Sequence, residues 1–418
     1  MSDLSNKKRV ALYDFIRPIT SWQTYYSSKM LKRKLNKTMK IKTSLIAIIF
    51  LVGQLIYAQQ NIPIIKSTSK KIDIRDGENL KKQNWTISPE LNPDVYETSS
   101  LGKKVTFITD IDSITVEINK ETKFDFIILL NNSKKAYTQV VYKPSYLQKL
   151  QNAEKYDFSD NRFIPNFSYQ SSDNPNLIKI RKDLKLDSIA GTGNEISKII
   201  NLMHWVHNII RHDGSAPTNP TLKNAIDIIK VCKTENRGVN CRMMATVLNE
   251  CYLSMGIKSR FVTCMPKETI FEDCHVINMV YSNDLKKWIW IDPTFDAYVM
   301  NEKGELLGLA EVRERLINGK TLILNPDANW NRKSTQTKEY YLEYYMAKNL
   351  YRLKTPLFSE YDTETMSNGK EITYVELLPL DGIEQNPQKK EETNKNTGLK
   401  STYYITNNPN IFWAEPTK

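Results

Sequence analysis

The stretch Gly238-Val239-Asn240-Cys241, running straight into residues 242–255, constrains this chain more than any other. Met244, Val247, Leu248, Cys251 and Met255 fall at i, i+3, i+4, i+7 and i+11, the spacing of one apolar helix face, and Gly256 stands where such a helix would stop. The periodicity predicts a buried helix with a cysteine in its first turn. Backbone N–H groups there have no intrahelical acceptor and the helix dipole is positive, so thiolate is favoured over thiol. Cys241 is therefore a candidate nucleophile, and a nucleophile of this kind needs a base and a group to orient the base.

Two later segments supply both. Residues 275–281 and 287–292 read as strands joined around Ser282-Asn283-Asp284-Leu285. If Asn283-Asp284 is a two-residue hairpin loop, His275 faces Asp292 directly, with Cβ atoms roughly 4.5–5.5 Å apart. A slip by one residue would put them on opposite faces of the sheet. A thiolate at Cys241 would attack a carbonyl, His275 would carry the proton, and Asp292 would fix the imidazole's tautomer and orientation. The backbone N–H of Cys241 offers one oxyanion donor, and Asn240 and Asn236 are near enough in sequence to be considered for a second. Each residue also has a plain structural reading: a satisfied strand histidine, an aspartate capping the turn at Pro293, a helix-start thiol. Their joint spacing favours the chemical one.

The rest of the chain divides by period. Residues 59 to about 100 are polar and carry no clear repeat. Beyond them Val105, Phe107, Ile114, Val116, Ile118, Phe124, Phe126 and Ile128 alternate with polar residues, and 137–142 reads as a further strand, which predicts a small antiparallel, sheet-on-sheet β-domain over 59–160. Asp110 and Asp112 are read as turn residues rather than calcium ligands. From about residue 176 the period is helical, with Ile196, Ile199, Ile200, Met203, Val206 and Ile210 on one stripe. His204 and His207 lie on that helix with His212 and Asp213 just beyond, so zinc was weighed. No H-E-x-x-H pattern is present and the two rings flank an apolar stripe, which favours structural or supporting histidines and no metal or other cofactor. The portion 176–325 is expected to carry the chemistry, and 326–418 to hold a tyrosine-rich helix at 338–351 and paired strands at 371–378 and 402–406. Between those strands, 385–400 is polar and lysine-rich, a mobile loop by composition.

Charge looks like a nucleic-acid signal until it is located. Of the net +12, residues 1–58 hold +9, so the remainder is nearly balanced and implies no polyanion partner. That leader reads as a secretory signal: a basic start at Met39-Lys40-Ile41-Lys42, an apolar centre at 45–51 and a small residue, Ala58, before Gln59. Its apolar run is too short to span a bilayer stably, which takes roughly 20 residues. The expectation is a start at Met39, cleavage after Ala58, and a periplasmic or extracellular protein. Five cysteines then remain, one over after two pairs, which suits a nucleophile plus up to two disulfides; Cys251, on the packed helix face, reads as a plain buried residue.

Residues of about 190–300 resemble the transglutaminase-like superfamily within the papain-like cysteine fold. The resemblance rests on Trp205, on Gly238-Val239-Asn240-Cys241 with Ala245, on Gly256-Ile257-Lys258-Ser259-Arg260, on Cys274-His275-Val276, and on Trp288-Ile289-Trp290-Ile291-Asp292-Pro293-Thr294. The ordered spacing of thiol, imidazole and carboxylate, 34 and then 17 residues, carries the weight. The resemblance implies an α+β fold in which the helix bearing the cysteine packs on an antiparallel sheet, with Cys241, His275 and Asp292 as the triad. It also implies acyl-enzyme chemistry on protein or peptide substrates, cell-wall peptide among them. Hydrolysis of an amide or peptide bond is the favoured outcome, protein-glutamine cross-linking the second, and a non-catalytic binding module the third.

Overall fold

The computed structural model describes residues 62–416 except 154, 216–219, 272 and 368. The leader and its processing site lie outside the described residues. Among the described residues no helix is long and apolar enough to cross a membrane. The chain divides into two compact units, one up to Tyr142 and one from Lys143 onward.

The first unit is two four-stranded sheets sharing one apolar core. Strands β1 (Ile64–Ser67), β2 (Lys71–Asp76), β3 (Asn79–Thr86), β4 (Asp94–Thr98), β5 (Lys104–Ile108), β6 (Ser113–Glu117), β7 (Lys123–Leu130) and β8 (Lys134–Tyr142) form it. The sheet β3-β2-β5-β6 is antiparallel throughout. In the other, β1-β7-β8-β4, the outer strands β1 and β4 run parallel to their neighbours, so it is mixed rather than antiparallel. Alternation puts Phe107 and Phe126 face to edge across the core, centroids 4.9 Å apart. Four strands occupy 64–98, where no period was legible. β1, β2 and β4 alternate but run only four to six residues, and the eight-residue β3 buries no residue fully, so apolar alternation cannot mark it.

The second unit is α+β. Its sheet has the order β11-β10-β9-β12-β13-β15-β14, built from β9 (Ser259–Met265), β10 (His275–Ser282), β11 (Lys287–Ile291), β12 (Arg352–Pro356), β13 (Glu371–Leu377), β14 (Lys389–Thr393) and β15 (Lys400–Thr406). Neighbours are antiparallel except the parallel pair β13 and β15. One face packs on helices α1 (Glu195–Ile209), α2 (Ala225–Thr234) and α3 (Cys241–Ser254). In α3 every residue from Met243 to Ser254 is buried, so the helix is a central core element and its apolar stripe is only part of what it hides. The opposite face packs on a helix at Leu309–Ile317 and a π-helical stretch at Glu339–Met346.

Two local expectations change. The segment 385–400 is not a structureless loop: Lys389–Thr393 is the edge strand of the sheet, fully exposed, with Lys and Glu side chains of the kind that keep an edge from pairing further. The β10–β11 hairpin has a four-residue loop, 283–286, not a two-residue one. Glu195 organises it by accepting from the backbone N–H of Asn283 (3.1 Å) and Asp284 (3.0 Å), and Lys286 closes it at φ +53°. The register is accordingly Ser282↔Lys287 to Asn278↔Ile291, which sets residue 292 opposite 277. His275 is thus a diagonal, not a direct, neighbour of Asp292. Because side chains alternate with period two, a shift of two leaves both on the same face, and diagonal neighbours stay within reach of a long side chain.

Candidate active site

The thiol is presented by a cap. Asn240 has extended dihedrals (φ −73°, ψ 171°) and its side chain accepts from the Met243 N–H at 3.1 Å, so Cys241 becomes the first residue of α3. That capping bond uses Asn240 Oδ1, an acceptor, and does not involve the amide N–H that an oxyanion would need. Cys241 is partly exposed and packs against Ala245, Phe261 and Val276.

His275, the first residue of β10, is 1% exposed and its Nε2 lies 2.7 Å from Asp292 Oδ2. The other side of the ring is within hydrogen-bonding range of the Cys241 thiol. Phe295 and Tyr345 pack edge-on against the imidazole at 5.4 and 5.3 Å. Asp292 is fully buried and its oxygens are well supplied. Oδ2 also accepts from the Tyr341 hydroxyl at 2.6 Å, and Oδ1 accepts from the backbone N–H of Thr294 at 2.8 Å. Trp290 Nε1 in turn donates to the Tyr341 oxygen at 3.1 Å. Burial, and then the charge of Asp292, hold the Tyr341 phenol far above its ordinary range, so it remains a donor.

A second ring reaches the same sulfur. Burial disfavours the Cys241 thiolate, but hydrogen bonds from His212 and then His275, with the charge of His275, outweigh it and bring the thiol down to about 6. The other four thiols move up, each because of burial. Burial works against the His275 cation, yet the charge of Asp292, its hydrogen bond and the contact with Cys241 raise it to about 10. A depressed thiol beside an elevated imidazole describes a thiolate–imidazolium pair, which titrates as a unit.

His212 was grouped in the sequence with His204 and His207, not with the thiol. The signal for it is Gly238: a Cβ there would lie 2.6 Å from the Arg211 carbonyl oxygen and 2.7 Å from Asp213 Cβ. Only a bare backbone permits the bridge in which Asp213 N–H donates to the Val239 carbonyl (2.8 Å) and Val239 N–H to that of Arg211 (3.1 Å). His204 and His207 do not reach Cys241. His204 Nδ1 pairs with Asp296 Oδ1 at 2.6 Å, and His207 sits 3.0 Å from both the Pro293 carbonyl and Asn329 Oδ1. Asp292, Pro293 and Asp296 belong to one turn, closed by mutual backbone bonds between Asp292 and Ala297 of 2.9 and 3.0 Å. That turn therefore holds three of the chain's four histidines.

All five cysteines are unpaired, so the disulfides that the count allowed are absent. Cys251 and Cys264 lie in cores on opposite faces of the sheet and could not meet. Among the described residues no group of three His, Cys, Asp or Glu side chains is arranged to hold a metal. Two cavities are lined by neighbours of these residues and not by Cys241 itself: one of about 440 Å³ by Asn240, Arg242 and Met243 at the start of α3, and one of about 420 Å³ by Phe295 and Trp330.

Residues 182–293 match the family model described as the transglutaminase-like superfamily. The segment is transglutaminase-like. This transglutaminase-like stretch includes Cys241, His275 and Asp292. Solved structures similar to the chain include a candidate cysteine protease from Cytophaga hutchinsonii, 21% identical over 28% of this chain and 37% of that one, with a TM-score of 0.23. Red sea bream transglutaminase is 11% identical over 61% of this chain and 52% of that one, also with a TM-score of 0.23. The chain spans about a third to a half of the length of these two structures. No curated protein matches it.

Proposed function

We propose that the chain is an exported cysteine-dependent hydrolase of amide or peptide bonds, with Cys241 as nucleophile, His275 as proton carrier and Asp292 as the group that orients His275. The observation that carries this reading is the His275 ring held between a thiol and a fully buried carboxylate 2.7 Å from Nε2. In the ground state the thiolate faces an imidazolium. Attack forms the S–C bond and moves the carbonyl π pair onto oxygen; collapse restores the carbonyl, breaks the C–N bond and sends the His275 proton to the leaving amine. Water, deprotonated by the now neutral His275, adds to the acyl carbonyl, and breaking the S–C bond releases the acid and restores the thiolate–imidazolium pair. Export rests on the composition of the leader, with its basic start, apolar centre and small residue at position 58.

The test is turnover of peptide and cell-wall amides by the mature protein, with and without a primary amine. Release of free acid in both conditions supports the hydrolase. An amide formed with the added amine in place of free acid moves the reading to an acyltransferase. An intact Cys241 that iodoacetamide labels no faster than an ordinary thiol near neutral pH would leave a binding module.

A further inference from the structure

We propose that His212 is a fixed hydrogen-bond donor that completes the oxyanion site at Cys241, and that it takes no part in accepting the thiol's proton. This rests on the reading of Cys241 as nucleophile. The backbone of His212 is clamped on both sides: its N–H donates to Asn331 Oδ1 at 2.7 Å and its carbonyl accepts from Asn331 Nδ2 at 2.9 Å. The bridge to Val239, allowed by Gly238, ties the same residue to the chain two positions before the thiol.

The tautomer follows from one contact. Trp330 Nε1 lies 3.2 Å from His212 Nδ1, and an indole N–H only donates, so Nδ1 must present its lone pair. The ring proton of neutral His212 is then on Nε2, the nitrogen left for Cys241. Taking a second proton at Nδ1 would set an N–H against the indole N–H. Among the described residues the histidine–carboxylate ion pairs are His204–Asp296 and His275–Asp292, and His212 is in neither. The two rings on the sulfur are therefore unlike. His275, backed by Asp292, holds and moves a proton; His212, backed by a donor, can only offer one hydrogen bond.

In this role the bond serves the place where charge builds. As the S–C bond forms and the carbonyl π pair moves to oxygen, the oxyanion beside the sulfur accepts from His212 Nε2–H and from the backbone N–H of Cys241, whose position in the first helical turn gives it no intrahelical acceptor. The proton balance is untouched, since the leaving amine is protonated from His275.

A pair of reagents separates this role from simple support of the thiolate. Acylation of Cys241 by p-nitrophenyl acetate builds an oxyanion; alkylation by iodoacetamide, at a tetrahedral carbon, does not. Both are followed at pH about 9, above the ordinary thiol value, so that thiolate formation is not limiting. His212→Ala is expected to slow acylation about a hundredfold, the scale for loss of one oxyanion donor, and to leave alkylation nearly unchanged. His212→Gln, which keeps an N–H donor, should recover much of the loss. Trp330→Phe, with His212 intact, frees the other tautomer and should slow acylation by a smaller factor of about ten. The Trp330 variant keeps the proposal testable if His212→Ala unfolds. Equal slowing of both reactions, or of neither, overturns the proposal while leaving Cys241 as nucleophile. A folded wild-type protein whose Cys241 reacts with neither reagent overturns both.

Discussion

Two histidine–aspartate pairs hang from the turn that begins at Asp292, and in length they are nearly the same: 2.7 Å for His275–Asp292 and 2.6 Å for His204–Asp296. Their surroundings differ. The first pair is closed off, with side chains 1% and 0% exposed, rings of Phe295 and Tyr345 on the imidazole, and three donors besides His275 on the carboxylate. The second leaves His204 with a side chain 32% exposed and no sulfur beside it. Both imidazoles are raised, His204 first by its hydrogen bond to Asp296 against the pull of burial. An aspartate on a histidine is thus not enough to mark a reacting group. What separates the pairs is enclosure, which strengthens the charge interaction, and the thiol beside the inner imidazole.

The sharpest way to break this comparison is to remove each imidazole. His275→Ala should lower acylation of Cys241 about a thousandfold or more, and His204→Ala should leave it unchanged; equal losses would mean the pairs are equivalent. Asp292→Asn should come next, with a loss of about a hundredfold or more, because the imidazolium loses its counter-charge and His275 its fixed tautomer. The same substitution should move the thiol back toward its ordinary value, read from the pH dependence of alkylation.

In the wild-type protein the acylation rate should rise as pH passes about 6, where the thiolate forms, and fall as pH passes about 10, where the imidazolium is lost. A single rise near the value of a free thiol would count against the pair. Tyr341→Phe removes one of the donors on Asp292 and should slow acylation by about tenfold, equivalent to about 1.4 kcal/mol. The smallest effect belongs to the outer pair. His204 has a folded-state value raised above 6.5, so its stabilisation is complete below that pH and is lost as pH rises through the raised value. His204→Ala should therefore lower stability by under about 1 kcal/mol in mild acid, discounted for its exposure, and by less at alkaline pH. A gap between the two melting curves that widens with pH would contradict that sign.

Much of the inner pair was legible because its residues are carried by regular elements. The stripe along 244–255 marked α3, and the strand patterns of 275–281 and 287–292 marked the hairpin. The loop length was misjudged, since nothing in Asn283-Asp284 announces that Glu195, 88 residues away, will gather four residues into the turn. The error was harmless only because it was even. His212 and Tyr341 were not legible as members of the site. Trp330 and His212 are 118 residues apart, and Tyr341 and Asp292 are 49 apart, joined by the fold and not by any local period. Gly238 was visible, but a glycine does not say which backbone it makes room for. β3 in the first unit and β14 at the sheet's far edge carry no legible period because nearly every side chain faces water, whereas β1, β2 and β4 alternate over too few residues to stand out.

The π-helical stretch at Glu339–Met346 has a bearing on how the site tolerates insertions and deletions. Such a stretch takes more residues per turn than an ordinary helix, so it behaves as a helix carrying a surplus residue. Deleting one residue just ahead of Tyr341 and letting the coil tighten would rotate that phenol by about 100° about the helix axis and away from its carboxylate. A length change of one amino acid, far along the chain from the thiol and altering no side chain of the proposed triad, would then be read as a change in the acidity of a histidine.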